Sequence, residues 1–209
     1  IKLLKNFTDL SSINPLFTII SMPTSLHKEY CIFAKNLSSN VFVEKPGFFT
    51  KADLIELNDA FANSNERITV GYQRQFNPIV KSLKKIINSN LYGAIKFINL
   101  EIASFIPDWH PYENHKDLYA CRSDLGGDIL HTECHELFLI CSLFGTPKQI
   151  KKEFWNNNKD DINVFDSCSL TLEYNGFKVQ GDISFYKKPN KRLLNFEMEK
   201  ATLYLDLNN

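Results

Sequence analysis

Long hydrophobic runs are absent from this sequence of 209 residues. No apolar stretch approaches the roughly 18 residues that a helix needs to cross a bilayer. The amino terminus also lacks the succession of basic, apolar and small residues that makes up a signal peptide. We therefore expect no membrane partner and a cytoplasmic location. An initiating methionine is missing too, and the sequence begins at Ile1 in mid-pattern, so we expect a processed chain or a fragment.

The cysteines and the charges exclude further classes of protein. There are 5 cysteines, an odd number, and no pair has the C-x-x-C spacing, which argues against a disulfide framework or a structural zinc site and fits a reducing compartment. Lys plus Arg and Asp plus Glu number 24 each, so the formal net charge is zero. A balanced charge gives no electrostatic footprint for nucleic acid. A small-molecule partner is therefore favoured.

The first part of the chain alternates short apolar strands with helices. The predicted strands are 15–21, 41–43 and 68–72, and the predicted helices are 25–37, 51–63 and 77–88. This alternation predicts a parallel, doubly wound sheet. Ligands bind such sheets beyond the carboxyl ends of the strands, so the polar residues in 22–24, 44–46 and 72–76 are expected to face one crevice. The alternative for 44–46 is a strand-to-helix turn with a solvated lysine and a structural proline.

The pattern changes near residue 90. Residues 95–105 predict a long half-buried strand, and an irregular, aromatic loop follows at 107–128. Further strands are predicted at 149–155, 167–174, 176–186 and 192–205, with a hairpin turn at Asn175-Gly176. Consecutive strands without intervening helices predict a largely antiparallel sheet. We therefore place a domain boundary between residues 90 and 91, with an α+β domain after it.

The stretch with the most chemistry is LGGDILHTECHELFLICSLFG, residues 125–145. Two glycines, a polar run with two histidines and an apolar run ending in a glycine predict a loop and one buried helix with a glycine cap. The first two turns are expected to present Asp128, His131, Thr132 and His135 to a cavity, where an imidazole suits proton transfer.

Three alternatives stand beside that interpretation of the helix. His135 is alternatively a core histidine bonded to a carbonyl, and Asp128 is alternatively only a helix cap. His131 and His135 are four residues apart with Glu133 and Cys134 nearby, which is a spacing for metal ligands. Because HTECH lacks the H-E-x-x-H arrangement and no second ligand cluster is evident, we predict no metal.

Several segments together resemble a known family. VFVEKP at 41–46, IISMPTSLH at 19–27 and VGYQRQFNP at 70–78 resemble the glucose-fructose oxidoreductase, inositol dehydrogenase and MocA-like (Gfo/Idh/MocA) family of nicotinamide-dependent sugar oxidoreductases. The segment at 109–128 and the T-x-x-H-E-L at 132–137 are similar to the branch that acts on sugars for cell-surface polysaccharides. The resemblance covers essentially the whole chain, in the correct order.

The resemblance implies a fold and an activity. Residues 1–90 would form a partial Rossmann-like domain that binds NAD or NADP, and residues 91–209 an α/β domain for substrate binding and oligomerisation. The expected reaction moves a hydride between the nicotinamide and a hydroxyl carbon of a sugar or nucleotide sugar. Partners would be that sugar and further copies of the chain, in a dimer or tetramer formed through the antiparallel sheet.

The expected reaction needs a base near neutral pKa and a cation beside the substrate oxygen. His135 and Lys45 have those chemistries, and the resemblance assigns the same two residues to catalysis. It places these residues around the cofactor: Pro23, Thr24, His27, Glu44, Pro46 and Arg74. The candidate substrate contacts are Trp109, His110, Tyr112, Asp128 and Thr132, since an aromatic face stacks on a sugar while its neighbours bond hydroxyls. The alternative for Trp109 is that it plugs the loop.

The sequence also departs from the family. No G-x-G-x-x-G occurs, and the family's first strand, glycine-rich turn and second strand would precede Ile1, which implies a chain truncated at its start. His131 and Phe138 stand where many members carry aspartates. These departures keep a second hypothesis open, a non-catalytic relative that acts as a binding or assembly protein.

Overall fold

The computed structural model describes residues 7–157 and 162–208. The chain divides into two compact units. The first ends at Gly71 and includes Asp124–Gly126, and the second begins at Tyr72. The part of the chain that the structure describes contains no helix long and apolar enough to cross a membrane.

The first unit is built on a parallel sheet, as the alternation predicts. Its strands β1 (Phe17–Ile20), β2 (Asn40–Val43) and β3 (Ile68–Val70) lie in the order β1-β2-β3. Helices α1 (His27–Asn36) and α2 (Lys51–Phe61) connect them. A small core is formed by Ile20, Cys31, Ala34, Val41, Val43 and Leu57.

The start of helix α2 is fixed by local hydrogen bonds. Thr50 caps α2, because its Oγ1 accepts from the Asp53 amide at 3.1 Å and the Asp53 carboxylate accepts from the Thr50 amide at 2.9 Å.

At the outer edge of the sheet, β1 pairs with β2 and with no other strand among the described residues. Phe17 and Ile19 on that edge strand are 52% and 69% exposed.

The second unit is a six-stranded sheet covered by three helices, in the order β5-β6-β7-β4-β8-β9. Its strands are β4 (Ile95–Phe105), β5 (Gln149–Trp155), β6 (Ser167–Glu173), β7 (Lys178–Ser184), β8 (Tyr186–Met198) and β9 (Thr202–Asp206). Its helices are α3 (Pro78–Ser89), α4 (Ile129–Thr132) and α5 (Cys134–Phe144). The sheet is antiparallel except that β4 and β7 run parallel.

Two predicted strand boundaries need correction. The single strand predicted at 192–205 is two strands, because the amide of Met198 donates to the Ala201 carbonyl at 2.9 Å and closes a turn between β8 and β9. The strand predicted at 176–186 begins only at Lys178. The hairpin turn itself is present, and Gly176 adopts a φ of +87° there.

The division between the units lies one helix before the predicted boundary at residues 90–91. Helix α3 belongs to the second unit, and its Val80 and Leu83 are fully or almost fully buried in that unit's core. The periodicity of α3 shows that it has an apolar face, but it does not show which sheet that face covers.

The helix predicted within 125–145 is divided into α4 and α5. The break falls at Glu133, whose φ of −101° and ψ of 32° are not helical. Gly145 ends α5 with a φ of +77°, and its amide donates to the Cys141 carbonyl at 2.8 Å, so the predicted glycine cap is confirmed.

Candidate active site

His135 lies in the first turn of α5 and is 8% exposed. Its ring meets the edge of Tyr72, with ring centroids 6.2 Å apart and planes at 86°. Tyr72 in turn stacks on Phe138, one helical turn after His135, at 3.7 Å between centroids. The imidazole is therefore held against an aromatic pair, and a small exposed fraction remains.

The glycines before this helix let the chain turn into it. A Cβ at Gly127 would collide with backbone atoms of Tyr119, Ala120 and Arg122, so only glycine fits. Asp128 follows and caps α4, because its Oδ1 accepts from the Leu130 amide at 2.7 Å. The structure thus supports the capping alternative for Asp128, and a bond from this carboxylate to a sugar stays a prediction.

Two buried carboxylates flank His135 in the sequence and share one guanidinium. Glu133 and Glu136 are 1% and 0% exposed. Arg192, on β8, places Nη2 at 2.6 Å from Glu133 Oε2 and Nη1 at 3.2 Å and 3.3 Å from the two oxygens of Glu136. Because buried charges are tolerated only when they are paired, this arrangement accounts for both glutamates.

Two further residues complete this cluster. Ser104 on β4 donates to Glu133 Oε1 at 3.1 Å. Arg74 lies 3.4 Å from Glu136 Oε1 and donates to the Leu207 carbonyl at 3.0 Å. We call Arg74, Ser104, Glu133, Glu136 and Arg192 the arginine–glutamate cluster.

Burial and charge act against each other on the pKa values in this cluster. Burial raises the pKa of Glu136 above its ordinary value, although Arg192 and Arg74 oppose that shift. Burial also acts to lower the pKa of Arg192, but Glu133 and Glu136 outweigh it, so the pKa of this guanidinium lies above its ordinary value. Arg192 is therefore a permanent cation beside the catalytic candidate.

Two further polar residues, both on α4, differ in exposure. Thr132 is 3% exposed and His131 is half-buried. Burial, and then Cys134, which bonds the tyrosine hydroxyl, raise the pKa of Tyr72 well above its ordinary value. Tyr72 is thus a neutral phenol over the whole physiological range.

The predicted aromatic contacts lie in two different settings. Trp109 is half-buried and packs edge to face on Phe185 of the core at 6.1 Å, which supports the alternative that it plugs the loop. His110 Nδ1 lies 2.8 Å from the Tyr112 hydroxyl and 3.1 Å from Glu113 Oε1. Tyr112 is 81% exposed, so this second group stands at the surface.

In the first unit, His27 is a structural residue. It is 1% exposed, with Nδ1 at 2.8 Å from the Pro46 carbonyl oxygen and Nε2 at 2.8 Å from that of Met22. The imidazole therefore ties the segment after β1 to the segment after β2, as expected for segments that meet at one end of a parallel sheet. Both ring nitrogens are engaged within the chain, so a contact of His27 with the cofactor stays a prediction.

The other predicted cofactor residues of this unit differ in exposure. Thr24 and Pro46 are buried, whereas Pro23, Glu44 and Lys45 are partly exposed after their strands. The Glu44 carboxylate accepts from the Lys45 amide at 3.4 Å, and the Lys45–Pro46 peptide is cis. A partly exposed carboxylate and ammonium at the carboxyl ends of parallel strands fit the nicotinamide end of a dinucleotide, while no glycine-rich phosphate loop is present in the sequence.

The residues weighed as metal ligands are engaged elsewhere. Glu133 pairs with Arg192, and Cys134 bonds Tyr72. Within residues 7–157 and 162–208, no group of three or more His, Cys, Asp or Glu side chains is arranged to hold a metal ion.

Two family models match most of the sequence. Residues 1–72 match an oxidoreductase family with an NAD-binding Rossmann fold, and residues 80–204 match the GFO/IDH/MocA C-terminal domain. The chain belongs to the Gfo/Idh/MocA family of oxidoreductases. This membership confirms the resemblance and the fold class predicted from the sequence, and the family is one that binds NAD.

Two oxidoreductases resemble the chain in sequence. Oxidoreductase P35 of Formosa agariphila is 24% identical over 185 residues, which are 88% of this chain and 57% of that protein. An uncharacterized oxidoreductase of Streptococcus pneumoniae is 28% identical over 127 residues, 61% of this chain and 33% of that protein. The chain thus spans at most 57% of the length of these relatives.

Solved structures share the fold. Myo-inositol 2-dehydrogenase from Lactobacillus plantarum gives a TM-score of 0.82 at 21% identity, over 97% of this chain and 61% of that one. The WlbA dehydrogenase from Bordetella pertussis, crystallised with NADH and UDP-GlcNAcA, gives 0.83 at 16% identity, over 98% of this chain and 65% of that one.

Ser104, Glu136 and Arg192 were not predicted as parts of the site. Arg74 was singled out as a cofactor residue, Glu133 only beside the metal spacing, and Tyr72 only as the start of a segment expected at the crevice. Glu136 follows His135 directly, so a charged residue inside an apolar helix was a signal available in the sequence. Its partner Arg192 lies 56 residues further along the chain, and no local pattern connects the two.

Proposed function

We propose that this chain carries the hydride-transfer site of an oxidoreductase that acts on a hydroxyl carbon of a sugar or nucleotide sugar, with NAD or NADP as the cofactor. The observation that carries the proposal is His135, an imidazole that is 8% exposed, fixed against Tyr72 and followed by a neutralised carboxylate. Such a side chain has the chemistry and the restraint of a general base.

The proposed step removes two hydrogens from one carbinol. His135 takes the hydroxyl proton, and a carbonyl forms at the carbon that loses its hydride. A bound nicotinamide supplies the hydride acceptor. Lys45 stabilises the negative charge that develops on the substrate oxygen, because a compact ammonium favours an alkoxide-like transition state.

The chain's own residues fit the nicotinamide end of that cofactor. Pro23 and Glu44 offer partly exposed groups after β1 and β2, and His27 fixes the backbone of both segments. Sugar is the favoured substrate class because the aromatic loop carries Trp109, His110 and Tyr112. The WlbA dehydrogenase, with its bound NADH and UDP-GlcNAcA, supports the same class at the level of a shared fold.

The test of the base is the His135→Asn variant of the complete gene product. We expect turnover, followed by the absorbance of the reduced nicotinamide over a panel of sugars and nucleotide sugars, to fall about 10²- to 10⁴-fold. His115→Asn is the matched control, since His115 packs on Tyr186 at 6.2 Å and has no proposed role in the reaction. Equal turnover of His135→Asn and the control would disprove the assignment of the base.

The alternative is a second function, that of a non-catalytic binding or assembly protein. Calorimetric titration of the folded chain with NADH and NADPH tests cofactor binding by this chain. Saturable binding that weakens in Glu44→Gln supports the enzyme. A folded chain that binds neither nucleotide would mean that turnover belongs only to a longer protein, or that the second function holds.

A further inference from the structure

We propose that Arg192 is the positioning residue for His135, holding the junction of α4 and α5 against the sheet so that the imidazole keeps one orientation. The catalytic consequence rests on the proposed function, but the orientation itself does not.

Arg192 contacts one residue before His135 in the sequence and one residue after it. Its Nη2 lies 2.6 Å from Glu133, two residues before the histidine, and its Nη1 lies 3.2 Å from Glu136, one residue after it. One planar guanidinium thus fixes the two backbone positions between which His135 projects. A lysine could not do this, because a single ammonium on a flexible stem lacks the fork of donors.

The anchors of this junction lie on rigid elements. Arg192 is on β8, directly opposite Ile102 of the neighbouring strand β4. Ser104, two residues further along β4, donates to Glu133 Oε1 at this junction. Both strands therefore hold the point at which the helix is broken.

Stability alone does not explain a charged cluster at this place. Replacing a buried ion pair by well-packed apolar side chains is often neutral or stabilising, so buried pairs are weak evidence for a stabilising role. Charged hydrogen bonds are directional, however, and Glu133 and Glu136 leave α5 at the turn that carries the proposed base. Orientation is the property that such bonds supply and an apolar contact does not.

The test compares three variants at position 192 and its partners. Arg192→Met leaves two buried carboxylates without this cation and is expected to lower the melting temperature strongly. Arg192→Met/Glu133→Gln/Glu136→Gln removes three of the four charges and keeps the shapes, and the remaining cation, Arg74, is partly exposed and still donates to the Leu207 carbonyl, so the fold is expected to recover. Arg192→Lys keeps the charge but bridges only one carboxylate.

The orientation of the His135 ring is measured by NMR in the protein without ligands. In the parent chain, the edge-to-face contact of His135 and Tyr72 predicts a nuclear Overhauser effect between their ring protons. We expect this signal to weaken in the triple variant and in Arg192→Lys, although both are folded. Turnover of the complete gene product is expected to fall about 10²-fold through kcat, the size that a small misplacement of a catalytic group produces.

The matched control is Lys191→Met, which removes a cation from the neighbouring position of β8, where Lys191 Nζ pairs with Glu101 at 2.9 Å. The ring signal and kcat should not change in it. A folded triple variant with the parent's ring signal would overturn the proposal whatever its turnover. If the parent itself shows no turnover, the proposed function fails, and the ring signal still decides whether Arg192 positions His135.

Discussion

At the scale of single residues, His27 joins two segments at one end of the first sheet. Both of its ring nitrogens lie 2.8 Å from carbonyl oxygens, those of Pro46 and Met22. A carbonyl only accepts, and a neutral imidazole has a single N–H to donate. The imidazolium form alone donates to both, and in either form the ring lies between the segment after β1 and the segment after β2.

We expect His27→Leu to destabilise the first unit by about 1–3 kcal/mol, because a carbonyl that accepted from the ring loses its side-chain donor. His27→Gln is the control, since its amide can still donate to one carbonyl. Hydrogen exchange of the β1 and β2 amides measures the difference. Identical protection in the two variants would show that the ring nitrogens contribute little.

The residues of the site were predictable where their chemistry is local. The capping alternative for Asp128 and the proline and lysine after β2 follow from neighbours a few positions apart. The arginine–glutamate cluster was not predictable, because Arg192 reaches Glu133 and Glu136 only after β8 has paired with β4. The catalytic roles of Lys45 and His135 stay predictions. The His135→Asn variant tests the role of the histidine.

At the scale of elements, α2 begins with two reciprocal hydrogen bonds and an ion pair. Lys28 Nζ lies 3.0 Å from Asp53, whose carboxylate also bonds the Thr50 amide. Burial acts to raise the pKa of Asp53, but Lys28 and Thr50 outweigh it, so this pKa lies below its ordinary value. A carboxyl with a lowered pKa stabilises the folded state above its ordinary pKa, about 3.9, and stops doing so as the pH falls through the lowered value.

We therefore expect Asp53→Asn to cost about 0.5–1 kcal/mol at neutral pH and progressively less below about pH 4. Unfolding of α2, followed by hydrogen exchange at several pH values, measures the cost. Asp59→Asn, a change of the same kind near the other end of α2, should show no such loss at neutral pH. A cost for Asp53→Asn that is independent of pH would contradict this account of the cap.

The elements themselves were predicted best where short apolar runs alternate with helices. The strands of the first sheet are short apolar runs with turns after them, and the structure confirms their parallel order. Two features of the second sheet depend on distant partners. The parallel pairing of β4 with β7 requires the chain to return across the sheet, and the break at Glu133 follows from its bonds to Arg192 and Ser104.

At the scale of the whole molecule, the fold class followed from the change in pattern near residue 90, and the family models agree with it. The boundary was placed one helix late because amphipathic periodicity does not say which sheet a helix covers. The predicted assembly through the antiparallel sheet stays a prediction.

The edge of the first sheet predicts a further contact between copies. Ile19 on β1 is 69% exposed, and an exposed apolar edge strand can pair with another. We expect Ile19→Lys to lower self-association of the isolated chain in sedimentation velocity. Tyr204→Lys, at a position 77% exposed on β9, is the control. If only Tyr204→Lys lowers association, copies meet through the second sheet instead.

The separate cores have a spectroscopic consequence. The chain has 2 tryptophans, Trp109 and Trp155, and both belong to the second unit. Tryptophan fluorescence therefore reports the melting of that unit and carries no direct signal from the sheet with Lys45. A denaturation curve recorded by tryptophan fluorescence can be sharp and reversible although the first unit, which carries Lys45, has already unfolded without a signal. The variants of His27 and Asp53 therefore need amide-resolved probes.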